Sequence, residues 1–282
     1  MTIALALKVN DGLVLAADSA TTVVNYEKDT AVTKVENIYN NANKIINLHK
    51  GLPVALMTWG LGSADGRSVI NLAKELRSRL EGKENDYIDW ELKSDKYSIE
   101  DIAGLTKTFF HDEVLSKVKQ EEFKLSEMGL LIAGYSSGNK QAEAFSLTTN
   151  GIKAVGPSRQ LEYDAQAYWA GQPEFISRVF LGMSSKMGEA LKNLGVSEDQ
   201  IPAVLTSIRQ QTMVQLLSAP MPIQDVIDLA DFLIDSTIKF TRYIPGDNTV
   251  GGPVEIASIT RHEGFKWIKR KLFYDGALNG GN

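Results

Sequence analysis

The sequence contains no cysteine. Disulfides, thiolate metal sites and a cysteine nucleophile are thereby excluded. Histidine is nearly as scarce: His49, His111 and His262 are the whole complement, and their spacing fits no two-histidine metal motif. No apolar run approaches the ~18 residues of a membrane span. An excess of positive charge is missing too. Lys and Arg number 30 against 35 Asp and Glu, a formal net charge of -5. That balance argues against nucleic acid or an anionic membrane as the main partner. The opening residues lack the marks of a signal peptide, because there is no basic start and Lys8, Asn10 and Asp11 interrupt any apolar core. A cytoplasmic location is expected. Neither a cofactor motif nor a metal-ligand pattern is present.

What is present suits a globular chain. The 282 residues are 43% hydrophobic and 23% charged, enough to bury a sizeable core. Residues 2–9, "TIALALKV", read as a strand, "NDG" as a hairpin turn and "LVLAADS" as the returning strand. Near-continuous apolarity predicts burial of that hairpin on both faces. Residues 23–41 are polar and read as a long excursion or hairpin. "NKIINL" and "LPVALMTWG" make a second strand pair. Helical period follows in 63–80, with Val69, Leu72, Ala73, Leu76 and Leu80 on one face. Another helix is expected over about 98–119, with Ser98 as N-cap before Glu100 and Asp101. Strands return in "MGLLIAGYS", "AEAFSLTT" and "GIKAVG". Helices are expected over 174–193, 198–217 and 223–242, then strands in "PVEIASIT" and "GFKWIKR". Segregated runs of strands and helices predict an α+β layered fold. One domain over 1–282 is expected, with a helical insertion at about 196–220 and a flexible tail at about 275–282.

The second residue carries the chemistry. Removal of Met1 ahead of the small Thr2 would leave a hydroxyl nucleophile beside a free α-amine. An α-amine titrates near ~7.7–8, so it can accept a proton at neutral pH. A threonine, an apolar strand, a Gly turn and then "LVLAADSATT" resembles the start of proteasome β-type subunits, within the N-terminal-nucleophile hydrolases. With threonine directly after Met1, the chain resembles the propeptide-less bacterial members. Asp18, in "ADS", lies sixteen residues after Thr2, as in that family. "NKIINL" offers Lys44 for the family lysine, and "TWGLGSADGRS" offers Gly60 for its Gly turn. "DNTVGG" supplies Asp247 and Gly251-Gly252, with Val250 where the family has serine.

The resemblance implies a four-layer αββα sandwich and a threonine peptidase that needs no cofactor. Thr2 would attack, Lys44 would ease alkoxide formation, Asp18 would pair with Lys44, and Gly60 would donate to the oxyanion. Thr22 matches the residue whose backbone pairs with an extended peptide. Thr21, Ala42, Ile46 and Thr58 match the pocket for the side chain before the scissile bond, which reads as uncharged. Polypeptide substrates, a homo-oligomer in a ring or helical assembly, and an ATP-dependent unfoldase would be the partners. The chain also departs from the family. The stretch between Asp18 and Lys44 is longer, so Lys34 is an alternative lysine. Gln172, beside Gly171, stands near a supporting serine position, and Val250 replaces another. A catalytically inactive ring or scaffold subunit, and an amidase acting on a small amide, therefore stay open. "VALMTWGLGSADGRSVINL" has the outline of a phosphate-binding turn, but its glycine spacing fits neither the dinucleotide fingerprint nor the P-loop.

Overall fold

The computed structural model describes residues 2–27, 32–117, 127–150, 153–246 and 249–271. Two of the features expected above, Asp247 and the tail at about 275–282, lie outside them.

The strands are β1 (Ile3–Val9), β2 (Gly12–Ala17), β3 (Thr21–Glu27), β4 (Val32–Tyr39), β5 (Ile45–Asn47) and β6 (Val54–Gly60). They continue as β7 (Met128–Gly134), β8 (Glu143–Asn150), β9 (Lys153–Gln160), β10 (Gln166–Gly171), β11 (Glu255–Thr260) and β12 (Gly264–Lys269). The α-helices are α1 (Val69–Leu80), α2 (Ile99–Lys107), α3 (Glu174–Leu181), α4 (Met187–Asn193), α5 (Ile201–Thr212) and α6 (Ile223–Arg242). The fold is α+β. One five-stranded sheet has the order β10-β1-β2-β11-β12, and the other β9-β8-β7-β6-β5. All pairings in both are antiparallel. β3 and β4 form a separate hairpin, the excursion expected between residues 23 and 41.

Side-chain alternation explains the layering. Along β1, Ile3, Leu5 and Leu7 face one core, which they share with Ile176 and Phe180 of α3 and Val226, Ala230 and Leu233 of α6. The intervening Ala4 and Ala6 face Ala55 and Met57 of β6 and Leu131 and Ala133 of β7. Small alanines on the inward face let the two sheets approach. The outer face of the second sheet packs Leu56, Leu130 and Ile132 against Leu72 and Leu76 of α1 and Ile102 of α2. Each such buried leucine or isoleucine contributes about 1.5–3 kcal/mol. Both strands of the first hairpin are buried throughout because both their faces are covered.

Helix boundaries follow local chemistry. Ser68 caps α1 by accepting from the Asn71 N–H, and Ser98 caps α2 by accepting from the Asp101 N–H. Beyond α2 the helical path continues as a π-helical turn, Thr108–Val114, and a short 3-10 turn, Leu115–Lys117. The helix expected over 174–193 is divided into α3 and α4, because Gly182 adopts φ 66° and closes α3 with a left-handed cap. β10 was not anticipated as a strand. Its residues are only half-buried, so its alternation is weak in sequence, yet it pairs with β1 along its whole length. The Gly-rich stretch after β6 folds into a tiny hairpin, Ser63–Ala64 with Arg67–Ser68, and not into a phosphate-binding turn. His111 is used structurally: its Nε2 accepts from the Ala154 N–H at 3.1 Å.

Candidate functional site

Thr2 lies at the end of the fully buried β1, between β10 and β2, and is itself 3% exposed. Its carbonyl accepts from the Gln172 N–H at 2.7 Å. Gly171 makes that approach feasible. It sits at φ 92°, and a Cβ there would fall 1.9 Å from the Thr2 oxygen. The Thr2 hydroxyl donates to the Ala20 carbonyl across a long 3.5 Å, and Thr2 lines a cavity of about 740 Å³.

Asp18 follows directly on β2 and is fully buried. Oδ1 accepts from the Ile3 N–H at 3.1 Å and from Lys44 Nζ at 2.5 Å. Oδ2 accepts from the Ala20 N–H at 3.2 Å and the Gly251 N–H at 2.9 Å. Four donors on one carboxylate offset its desolvation, which an unpaired buried charge could not survive cheaply. Lys44, just ahead of β5, is 5% exposed. Burial pushes its ammonium below the usual lysine value, against the pull of Asp18; the charge of Lys271 adds to the lowering. Lys44 is therefore the lysine that joins Asp18. Lys34 stands opposite Asn25 in the backbone register of the β3–β4 hairpin.

A second buried ion pair adjoins the first, and sequence reasoning missed it. Glu255 opens β11 and is fully buried. Its Oε2 accepts from the Lys44 N–H at 3.2 Å, and its Oε1 lies 3.2 Å from Lys271 Nζ. Lys271 also donates to the Ser19 hydroxyl and the Ala42 carbonyl, each at 2.7 Å. Burial lowers the Lys271 ammonium, with Glu255 opposing. The only signal available was one glutamate inside the otherwise apolar "PVEIASIT".

The structure brings Thr2, Thr21, Ala42, Lys44, Thr58 and Gly60 to one cavity. Gly60 has φ 78°, and a Cβ there would meet the Glu127 carbonyl at 1.9 Å, so only glycine closes β6 in this way. One expected pocket residue, Ile46, and the expected peptide-pairing residue, Thr22, are elsewhere. Ile46 is 5% exposed, packs with Leu72 and Leu76 in the α1-side core, and lines an adjoining cavity of about 320 Å³. Strand parity is the reason, since Ile45 takes the inward-facing position. Thr22 pairs with Ile38 in the β3–β4 hairpin and does not line the Thr2 cavity. Val250 is fully buried in the α3/α6-side core, so no hydroxyl is offered there. Gly251 next to it supplies the N–H to Asp18. Among the described residues, no three His, Asp or Glu side chains group as a metal site, and no helix is long and apolar enough to cross a membrane.

No protein-family model and no curated protein matches the chain. Among solved structures, the helical assembly of the Anbu complex from Pseudomonas aeruginosa aligns with 98% of this chain and 90% of that one. The sequence identity is 13% and the TM-score 0.47. A likeness at that level carries no argument about chemistry. The assignment to the proteasome β-type family, expected from the opening motifs, is corrected accordingly: with no matching family model and so distant a neighbour, membership is not supported.

Proposed function

We propose that the chain is an N-terminal threonine hydrolase that cleaves peptide bonds, with Thr2 exposed by removal of Met1. The observation that carries this reading is the saturated Asp18 holding Lys44 beneath a cavity that Thr2 lines. A buried ammonium beside a cavity lowers the cost of an alkoxide there. The stacked sheets with helices outside suit the αββα sandwich of the N-terminal-nucleophile type, in which such a threonine ends a central strand.

In the proposed reaction the Thr2 hydroxyl attacks the carbonyl carbon while its proton passes to the α-amine of Thr2. The Gly60 N–H donates to the developing oxyanion. The amine then returns the proton to the leaving nitrogen, the C–N bond breaks, and an ester to Thr2 remains. Water, deprotonated by the same amine, hydrolyses that ester and restores the hydroxyl. Polypeptide is the substrate. The uncharged side chains of Thr21, Ala42 and Thr58 suit an apolar or small residue at the scissile bond. Self-association is part of the proposal. Neither α4 nor α5 buries a residue, and Leu194 beside them is 81% exposed. An ATP-dependent unfoldase would be the further partner.

The test is intact mass before and after a peptide epoxyketone, which reacts with an N-terminal threonine's hydroxyl and amine together. Loss of Met1 and one adduct on the wild type, none on Thr2→Ala, is expected. Turnover of fluorogenic peptides should fall on the order of 10³-fold or more in that variant. Undiminished turnover in Thr2→Ala overturns the reading. An inactive scaffold subunit is the second reading, favoured by the apolar burial of Val250. A Met-free protein that never forms the adduct would establish it.

A further inference from the structure

The walls around Thr2 carry an unbalanced charge. Among the described residues, no Asp or Glu lines the 740 Å³ cavity. Of its three cations, Lys44 is held by Asp18, and Arg67 by Asp65 at 3.1 Å and Glu75 at 2.8 Å. Lys74 is not held: among the described residues, no carboxylate lies within salt-bridge distance of it. The adjoining 320 Å³ cavity shares Asn43, Ile70 and Lys74 with the first, so the two border on the same residues. It adds Lys50, Arg77 and Arg270, likewise without a salt bridge among the described residues. Its one carboxylate, Glu255, is buried against Lys271. Ile70, Lys74 and Arg77 recur at the spacing of one helix face, so α1 turns a cationic edge along the whole cleft. This occurs in a chain whose net charge is -5.

A second observation concerns the junction itself. The side-chain oxygen of Asn43 is buried and has no hydrogen-bond partner among the described residues. Asn43 lines both cavities. Four cations without a salt bridge among the described residues, Lys50, Lys74, Arg77 and Arg270, the last lying over the Trp267 ring, focus a positive field in a concave wall.

We propose that this cleft takes an acidic stretch of polypeptide, with Lys74 as the main specificity determinant. The proposal rests on the reading of Thr2 as the attacking group and names the substrate class for it. The residue at Thr2 meets uncharged Thr21, Ala42 and Thr58, and the Asp or Glu residues lie further along, toward Lys74 and Arg270. Basic segments are repelled.

The test uses Thr2→Ala protein, so binding is read without turnover and independently of whether Thr2 reacts. The probes are a fluorescein-labelled ten-residue peptide of alternating Glu and Leu, its Gln and Lys analogues, and a single-stranded oligonucleotide. Fluorescence anisotropy should show the Glu peptide binding about tenfold tighter than the Gln analogue at low salt, an advantage that salt erodes. The Lys analogue should bind weakest. Adding Lys74→Glu should abolish the advantage. Lys192→Glu on α4 makes the same change in net charge far from the cleft and should preserve it. Equal binding of the three peptides, a preference for lysine, no binding at all, tighter binding of the oligonucleotide, or equal loss in Lys192→Glu each overturns the proposal. The epoxyketone adduct separately decides the reading of Thr2.

Discussion

The two buried lysines near Thr2 are held in contrasting ways. Lys44 meets a carboxylate that is already fixed by three backbone N–H groups, from Ile3, Ala20 and Gly251. Lys271 meets a carboxylate whose other oxygen takes only the Lys44 N–H, and it spends its remaining protons on the Ser19 hydroxyl and the Ala42 carbonyl. One lysine is anchored inward, to the sheet. The other is anchored outward, to the cavity rim through Ala42. On the proposed reading the difference separates chemistry from shape: Asp18–Lys44 would set charge at the threonine, and Glu255–Lys271 would hold the wall against which a substrate rests.

That contrast breaks most sharply at Lys44. Lys44→Met leaves Asp18 buried without its countercharge and should cost about 3–5 kcal/mol in urea unfolding. Adding Asp18→Asn removes the stranded charge and should return a substantial part of that stability, while turnover stays absent. Recovery of turnover in the double variant would show that the pair serves folding alone. Lys271→Met is the next largest. Turnover should fall about tenfold through a displaced wall. The sharper readout is pH. The Lys271 charge helps keep the Lys44 ammonium below the ordinary lysine value, so removing it lets Lys44 keep its proton to higher pH. The alkaline limb of kcat/KM should therefore move upward. An unmoved limb would reduce Lys271 to packing.

The smallest effect tests whether protein donors can hold a carboxylate without a lysine. Glu174 begins α3. Burial would raise its carboxyl, but hydrogen bonds from the Ser185 and Ser184 hydroxyls, from Arg178 and from the Ser185 N–H outweigh it and bring it to about 2. Its folded value is below its unfolded one, so its contribution is complete above the ordinary glutamate range and fades as pH falls through about 2. Glu174→Gln should cost about 1–2 kcal/mol at neutral pH, and the gap to wild type should close near pH 2. Urea titrations at both pH values measure it. A gap that persists in acid would mean that shape, not charge, holds the 184–185 turn.

The same contrast marks how far the sequence could be read. The β1–β2 hairpin is contiguous, apolar on both faces and bounded by a turn, so it and Asp18 at its end were legible. Thr21, Ala42, Thr58 and Gly60 followed from the resemblance and do line the cavity, although family membership itself is not supported. Ile46 was misplaced because a three-residue strand carries too little alternation to set its parity. β10 was missed because half-buried strands blur the period that would announce them. Glu255 and Lys271 come from the far end of the chain, and nothing local says that β11 lies beside β2. Lys74 lies off the apolar face of α1 and carries no signal of its own, since only the fold reveals which face of a helix borders a cavity.

The central place of β1 has a consequence in time. Thr2 is enclosed only when β10, some 165 residues further along, has arrived to pair with β1, and Lys271 comes later still. At typical synthesis rates the ribosome takes roughly tens of seconds to deliver those segments. For that interval the peptide bond before Thr2 lies on an unfinished chain, open to an aminopeptidase. Completion of the sheet buries Thr2. On the proposed reading, unmasking of Thr2 would precede assembly of its site.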